Sequence, residues 1–320
     1  MKNLLYIYTS PLDGSTGGSQ GLLKEIDGLS QNFNVTKYQI IKKNNKFKTF
    51  IRACLFNGGN LDFKDYKKTI TYIKRNDFNY VYISSSTMGK LVKLIKKYCK
   101  NVKVVVSYQN NEKNYSKDMV KTKGLLYLPL FLCSLYNELC SQKYADFNVF
   151  VSDEDRNSMK CKNPSVTIPV TLKDYYEEIE ILNNETKPYL LFLGASQFAN
   201  VEAVKFLINE IAPYVKYKVV IAGSGMDKAF VNKYDNVEII GYVKNLNELF
   251  KNALAFVMPL YYGSGAKVKV AEALMQGKKI IGTPLSLWGY DMDGASYEIC
   301  NTKDDFIKVI NDLVGRMSSF

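Results

Sequence analysis

The chain contains no histidine among its 320 residues. Imidazole is the usual general base near neutral pH and the commonest metal ligand among the side chains. Mechanisms that require an imidazole base or a histidine-bound zinc ion are therefore excluded. Acid–base chemistry is left to carboxylates and tyrosines, while backbone dipoles remain available to stabilise negative charge.

The sequence also lacks cysteine pairs and long apolar segments. Its six cysteines include no Cys-x-x-Cys pair, so we expect reduced, mostly buried thiols. The first ten residues are too short for a signal peptide and resemble a first strand. The longest apolar run, at residues 124–139, is shorter than the about 20 residues that span a membrane, and it contains Pro129. A core helix is the favoured interpretation, and an interfacial surface is the alternative because basic residues precede the run.

Acidic residues are outnumbered, with 31 Asp and Glu against 43 Lys and Arg and a formal net charge of +12. Because the lysines are spread over the whole chain, we do not expect nucleic acid as a partner. A phosphate-rich ligand or an anionic membrane surface fits this charge as well.

Strand patterns alternate with helical patterns nearly from end to end, and such alternation predicts parallel sheets with right-handed crossovers. The predicted strands of a first set are residues 4–8, 35–40, 80–84, 102–107 and 148–151. Those of a second set are residues 189–194, 218–222, 237–240, 254–258 and 279–282. Helices are predicted between them, for instance at residues 89–100, 201–214 and 246–252. We therefore predict two doubly wound α/β domains, residues 1–165 and 166–320, with a last helix able to return to the first domain.

One stretch of the second half, "PLYYGSGAKVKVAEALMQGKKIIGTP" at residues 259–284, predicts a ligand site. Gly263 and Gly265 permit a tight turn and a close approach of the backbone to a ligand. A helix is expected from Ala266 to Gly277, and its N-terminus suits a phosphate. The predicted apolar stripe of this helix consists of Val268, Ala271, Leu274 and Met275.

Three charged residues occur early in this helix. Lys267 and Lys269 oppose the helix dipole, which a bound anion would explain, and Glu272 could accept hydrogen bonds from a vicinal diol such as a ribose. An ordinary surface Lys–Glu pair is the alternative. Three further strand ends carry glycine, in "FLGASQ", "IAGSG" and "IIGYV", and in open α/β sheets ligands bind at this edge. The glycines of "TSPLDGSTGGSQGLLKEI" do not match the dinucleotide spacing, so NAD is only weakly supported.

Residues 189–291 resemble the donor-binding half of GT-B glycosyltransferases, above all the family-4-like enzymes of bacterial capsule and exopolysaccharide assembly. The Pro-x-x-x-Gly-Ser-Gly core followed by Lys and Glu-Ala carries this likeness. The first half matches more loosely, through "GGSQ", "SYQNNEKNY" and "VSDEDRNSM". The resemblance implies two Rossmann-like domains that face each other across a cleft, with the acceptor side first and the nucleotide-sugar donor side second.

The resemblance also implies roles for individual positions. Glu272 would hold the nucleotide ribose, and Ser264 and Gly265 would offer amides to the diphosphate, which Lys267 and Lys269 would neutralise. Gly241, Tyr242 and Val243 would lie in the loop beside the base, and Gly194 in the loop that faces the phosphates. Gly17 and Gly18 would lie in the loop that closes over the pyrophosphate and the reacting sugar.

Three departures from the larger family stand out. Ser264 replaces a glutamate often found eight positions before Glu272, "GASQFAN" lacks a common basic pair, and Gln109–Asn110 replace a common His-Asn pair. Such a family implies a glycosyltransferase that moves a sugar from a nucleotide-diphosphate sugar, with UDP favoured, to a saccharide acceptor that is lipid-linked. The expected setting is cell-surface polysaccharide synthesis in the cytoplasm, at the inner membrane face. The alternative is a non-catalytic GT-B subunit that partners an active transferase.

A retaining reaction, in which the leaving phosphate takes the acceptor proton, needs no protein base. An inverting reaction needs one, and Asp13 and Glu112 are the candidates, although solvated loop carboxylates are the simpler interpretation of both. Asp-x-Asp occurs at residues 153–155 and 291–293, a pattern that binds a metal in a different glycosyltransferase fold. Surface acids are the stronger interpretation here, so we expect no metal and no cofactor.

Overall fold

The computed structural model describes residues 1–13, 17–41, 45–159, 161–171 and 188–313. Contacts between Cα atoms divide the chain into two compact units. The first comprises Met1–Thr171 with Ser264–Ala266, and the second comprises Leu172–Gly263 with Lys267–Phe320.

The first unit is built on a parallel sheet with the strand order β2-β1-β3-β4-β5-β6. Its strands are β1 (Lys2–Tyr8), β2 (Phe33–Gln39), β3 (Tyr80–Ile83), β4 (Lys103–Tyr108), β5 (Phe147–Phe150) and β6 (Ser165–Thr167). Its helices are α1 (Gly17–Ser30), α2 (Lys46–Cys54), α3 (Phe63–Arg75), α4 (Gly89–Tyr98), α5 (Glu112–Lys123), α6 (Leu128–Tyr144) and α7 (Asp153–Met159). Two separate apolar clusters cover the two faces of this sheet, which explains why its central strands are apolar on both sides.

The second unit repeats the plan with the order β12-β11-β10-β7-β8-β9, again parallel throughout. Its strands are β7 (Tyr189–Leu193), β8 (Lys218–Ala222), β9 (Val237–Ile240), β10 (Ala253–Met258), β11 (Lys279–Gly282) and β12 (Tyr297–Ile299). Its helices are α8 (Phe198–Phe206), α9 (Met226–Ala229), α10 (Asn247–Lys251), α11 (Val268–Met275) and α12 (Lys303–Asp312). The predicted class of two doubly wound α/β domains is confirmed.

The ten predicted strands are present, with ends that differ from the prediction by at most two residues. The short edge strands β6 and β12 were not predicted, because three residues carry too little periodicity to detect. The helix predicted over residues 201–214 is three pieces: α8, a π-helical turn at Leu207–Ile211, and a 3₁₀ turn at Ala212–Tyr214. Pro213 lies in that last turn and has no N–H with which to continue an α-helix.

The apolar run at residues 124–139 forms a 3₁₀ turn, Leu125–Tyr127, and most of α6. The preferred interpretation of this run as a core helix is wrong for its side chains. The buried face of α6 is polar or sulphur-bearing, with Cys133, Ser134, Asn137, Glu138, Cys140 and Ser141. Several of its leucines face outward instead.

Candidate functional site

The candidate site of the second unit lies where the order of its strands reverses. β7 is followed by β8 and β9 on one side, whereas β10 and β11 lie on the other side. The carboxyl ends of β7 and β10 therefore flank a topological switch point, where open α/β sheets bind their ligands. Gly194 follows β7, and the loop of residues 259–267 follows β10.

The turn before α11 depends on its glycines. Gly263 has a φ of +112° and Gly265 a φ of +73°, conformations that other residues rarely adopt. Lys267 is the N-cap of α11, with φ −91° and ψ 101°, and its side chain makes no capping bond. Lysine cannot accept the hydrogen bond that a serine or aspartate cap would, so an anion can take that place.

Two details of the predicted helix are corrected here. It begins at Val268 and not at Ala266, because the positive φ of Gly265 and the extended Lys267 interrupt helical geometry. Its most buried apolar residues are Val270 and Ala273, whereas the predicted stripe is partly exposed.

Lys269 and Glu272 form an ion pair one helical turn apart. Lys269 Nζ lies 2.9 Å from Glu272 Oε2, and the glutamate side chain is 1% exposed. The interpretation of a surface pair is therefore wrong for the carboxylate. A charge is buried only at considerable cost, and a buried carboxylate at a switch point is the kind of group that a ligand site retains.

The loop after β11 holds the glycine turn at both ends. The hydroxyls of Ser286 and Thr283 donate to the carbonyls of Met258 and Leu260, at the start of the turn. Tyr290 Oη donates to the carbonyl of Lys267, at its end, over 2.7 Å. These three side chains were not predicted from sequence, since a hydroxyl that reaches a distant carbonyl leaves no local pattern.

The other predicted donor residues of the second unit lie at the carboxyl ends of strands. Gly194 is packed against Asn200, whose side chain would lie 2.8 Å from an added Cβ. Gly241 is packed in the same way against Asp227, at 2.9 Å. After Gly241, the ring of Tyr242 is exposed while Val243 packs on the core. Both glycines thus have a packing role, which leaves their part in binding a prediction.

The predicted residues of the first unit occupy two loops at the carboxyl edge of its sheet. Asp13 is exposed in the loop after β1, and Gly17 and Gly18 begin α1. Glu112 is the first residue of α5, after β4. Ser264 is grouped with this unit by its contacts, and its hydroxyl donates to the carbonyl of Asn111, the N-cap of α5, over 2.9 Å.

A partly buried carboxylate that the sequence analysis missed belongs to α1. Glu25 accepts hydrogen bonds from the hydroxyls of Tyr6, at 2.5 Å, and Ser107, at 2.7 Å, and from Gln109 Nε2, at 2.8 Å. Burial raises the pKa of Glu25, and these hydrogen bonds oppose the rise. No periodic signal marks it, because its partners come from three strands far apart in sequence.

Glu138 of α6 is a second buried carboxylate that the sequence did not mark. Its side chain accepts from the backbone N–H of Lys113 at the N-terminus of α5, over 3.2 Å. Burial raises the pKa of Glu138 to about 7, although the backbone bond opposes that shift. The helix that begins with Glu112 is therefore capped by Asn111, which accepts from Asn114 N, and by a buried acid.

Neither Asp-x-Asp sequence forms a metal cluster in the part of the chain that the structure describes. No group of three or more His, Cys, Asp or Glu side chains there could hold an ion. Asp153 accepts instead from Thr167 and lies in the first turn of α7. Within the same described residues, no helix is long and apolar enough to cross a membrane.

Comparison with known proteins agrees with this geometry. Residues 187–315 match the family model described as glycosyl transferases group 1. The whole sequence finds no match among curated proteins. Among solved structures, HepE of Anabaena in complex with UDP-glucose has a TM-score of 0.70 at 9% identity, over 99% of this chain and 91% of that one.

Two further solved structures are similar. A trehalose-6-phosphate protein from E. coli bound to UDP-2-fluoro glucose has a TM-score of 0.65 at 8% identity, over 99% of this chain and 93% of that one. The lipopolysaccharide outer core galactosyltransferase WaaB, in its apo form, has a TM-score of 0.58 at 14% identity, over 99% and 91%. The chain has the GT-B fold, and its residues 187–315 are similar to group 1 glycosyltransferase domains.

Proposed function

We propose that this chain is a glycosyltransferase that moves a sugar from a nucleotide-diphosphate sugar to a saccharide acceptor. The observation that carries the proposal is the buried Lys269–Glu272 pair at the start of α11, beside the β7/β10 switch point. A nucleoside diphosphate has the two features that this arrangement suits: an anion for a helix N-terminus and a diol for a carboxylate. UDP is the favoured nucleotide, because similar structures hold UDP-sugars.

In this proposal the donor binds mainly to residues 166–320 and the acceptor mainly to residues 1–165. The amides of Ser264 and Gly265 and the charge of Lys267 stabilise the leaving diphosphate. Lys269 holds the Glu272 carboxylate oriented toward the ribose. The remaining loops around the donor contain Gly194, Gly241, Tyr242, Val243, Gly17 and Gly18.

The reaction is proposed to proceed with retention and without a metal ion. Because the departing phosphate takes the acceptor proton, no protein base is needed. Asp13 and Glu112 become the candidate bases if the reaction inverts. The anomeric configuration of the product, followed by NMR in the presence of EDTA, distinguishes the two routes.

The donor site is tested by thermal unfolding with UDP, GDP, ADP, CMP and dTDP. A ligand at 100 times its dissociation constant adds about 2.7 kcal/mol to the stability of the folded state. We expect UDP to raise the Tm of the wild type and not that of Glu272→Gln. Glu202→Gln is the matched control, since Glu202 and Lys205 form a pair of the same spacing, 3.0 Å apart, on α8. If no nucleotide shifts the wild type, the donor site is wrong and a non-catalytic GT-B subunit becomes the better interpretation.

The acceptor is proposed to be lipid-linked, because the first unit exposes an apolar surface formed by α2, α6 and the turn before α6. α2 packs on α6, and the rings of Phe56 and Tyr136 lie 5.1 Å apart between them. The exposed apolar residues of this surface, which we call the α2–α6 surface, are Phe47, Phe50, Ile51, Leu55, Phe56, Leu125, Leu126, Leu128, Leu132 and Leu139.

Charge indicates what covers the α2–α6 surface. Exposed lysines flank it on α2, at Lys46 and Lys48, and in the last turn of α5, at Lys121 and Lys123. Apolar side chains with a basic rim suit the surface of an anionic bilayer, where each lysine contributes about 1 kcal/mol. We place the chain at the cytoplasmic face of a membrane, where a lipid-linked saccharide of a cell-surface polysaccharide would meet the donor.

Vesicle flotation tests this docking surface. We expect the protein to float with vesicles that contain phosphatidylglycerol and not with pure phosphatidylcholine, and to be released by high salt. Leu125→Ser with Leu126→Ser, at residues 78% and 72% exposed, should abolish flotation. The control is Val231→Ser, a residue of the second unit that is 87% exposed. If the leucine variant still floats, the proposal is contradicted. If the wild type is a dimer that the leucine variant converts to a monomer, the surface binds a second copy of the chain.

A further inference from the structure

The partly buried carboxylate of Glu25 joins α1 to the end of β4. Its atom Oε1 accepts from Ser107 Oγ and Gln109 Nε2, and from Tyr82 Oη at 3.2 Å. Its atom Oε2 accepts from Tyr6 Oη. The four donors come from β1, β3 and β4, so one glutamate spans three adjacent strands beneath the helix.

The hydrogen bonds of Glu25 favour an ionised carboxylate that accepts only, and they oppose the rise that burial produces in its pKa. Four donors point at its two oxygens, and a protonated carboxyl would have to turn one of these contacts into a donation. The titratable groups that face it are the phenols of Tyr6 and Tyr82, whose pKa values burial raises, so both are neutral donors. The partners from β4, Ser107 and Gln109, carry no charge.

Gln109 connects the hydrogen bonds of Glu25 to the carboxyl edge of the sheet. It is the first residue after β4, and three residues later α5 begins with Glu112. Its Nε2 is held by both Glu25 and Ser107, and its Oε1 lies beside α1 at Gly21, 3.9 Å from where a Cβ would be. The NH₂ group of this amide is thus held by two acceptors at the start of the segment that leads into α5.

We propose that Glu25 is a positioning residue of the transfer reaction, which acts through Gln109. By fixing this amide it aligns segment 109–112 with the N-terminus of α1, whose Gly17 and Gly18 are proposed to close on the donor. The inference rests on the proposed function for its kinetic consequence, but the alignment itself is a property of the free protein.

The kinetic test is Glu25→Gln, which keeps the size of the side chain but presents an NH₂ group to a ring of donors. We expect kcat to fall at least tenfold with little change in the KM for the donor sugar, because the donor residues of the second unit are untouched. The acid limb of the wild-type pH profile should disappear in this variant. Tyr6→Phe removes one bond to the ionised form, so it should move that limb to higher pH.

Glu138 is a second carboxyl with a raised pKa, so it needs its own control. Because Glu138 has a pKa of about 7, Glu138→Gln must leave the acid limb in place if Glu25 produces it. Unchanged kcat and an unchanged pH profile in Glu25→Gln would overturn the inference, as would a lower kcat with the acid limb intact, which would indicate a structural role alone.

Hydrogen exchange separates this inference from the proposed function. In the free protein, Glu25→Gln should speed amide exchange in residues 109–116 and leave residues 189–222 of the second unit unchanged. Equal exchange in both proteins would overturn the inference whatever the activity. The UDP-induced rise in Tm should persist in Glu25→Gln. If UDP does not raise the Tm of the wild type, the proposed donor site is wrong, and the inference about Glu25 is unaffected.

Discussion

The two units bury their carboxylates in different ways. In the second unit Glu272 is paired with a lysine on the same helix, one turn away. In the first unit Glu25 and Glu138 are satisfied by neutral donors, namely hydroxyls, an amide and a backbone N–H. The carboxylate of the second unit has a charged partner, whereas burial among neutral donors raises the pKa values of Glu25 and Glu138. The second unit is thereby suited to bind a ligand, and the first to respond to pH.

The largest effect is expected when the lysine of the paired carboxylate is removed. Lys269→Met leaves Glu272 buried and uncompensated, and breaking a buried pair costs about 3–5 kcal/mol. Chemical denaturation should show this loss, and the double variant with Glu272→Gln should recover most of it. Lys205→Met is the control, because its exposed pair is worth about 1 kcal/mol or less. Equal losses at the two sites would mean that burial of Glu272 does not distinguish its pair from an exposed one.

The second effect concerns Glu138, whose pKa is raised from 4.5 to about 7. A carboxyl with a raised pKa in the folded state contributes stability that is complete below about pH 4.5 and is lost as the pH rises through 7. Glu138→Gln cannot ionise, so its stability relative to the wild type should increase over this interval by up to about 3 kcal/mol. Denaturation at a series of pH values measures this difference. A flat difference would mean that the carboxyl is not desolvated in solution.

The contrast between the local Lys269–Glu272 pair and the long-range contacts of Glu25 also explains which features can be predicted from the sequence. Residues 259–284 predict a turn, a helix and a charged pair within one short segment, and the structure contains all three. The start of the helix and its buried face differ from the prediction. Strand alternation predicts the sheets because buried parallel strands are apolar throughout. The network around Glu25 joins residues up to 84 positions apart, and no short-range period records such a contact.

The apolar run at residues 124–139 shows where periodicity misleads. It contains enough leucine for a core helix, but hydrophobicity alone does not reveal which face is buried. In α6 the inner face is occupied by Asn137, which bonds Cys133 O and Lys90 N, and by Glu138. A polar face that satisfies backbone groups of neighbouring helices displaces the leucines outward. Only the tertiary contacts decide between those two arrangements.

The smallest effect sharpens the comparison within the second unit. Tyr290→Phe removes the bond to the Lys267 carbonyl, which still accepts from Val270 N, so the loss of stability should be about 1 kcal/mol. Because that bond fixes the N-cap of α11, we also expect UDP to bind about fivefold more weakly, as measured by calorimetry.

The control for Tyr290 is Tyr189→Phe. Tyr189 Oη donates to the Leu249 carbonyl over 2.8 Å, at the start of β7 and thus at the opposite edge of the sheet. This variant should lose a similar stability and keep its affinity for UDP. If both tyrosines change stability alike and neither changes the affinity, the loop after β11 supports the fold alone. A loss of affinity confined to Tyr290 would instead show that the ligand site of the second unit extends to side chains that never touch the ligand.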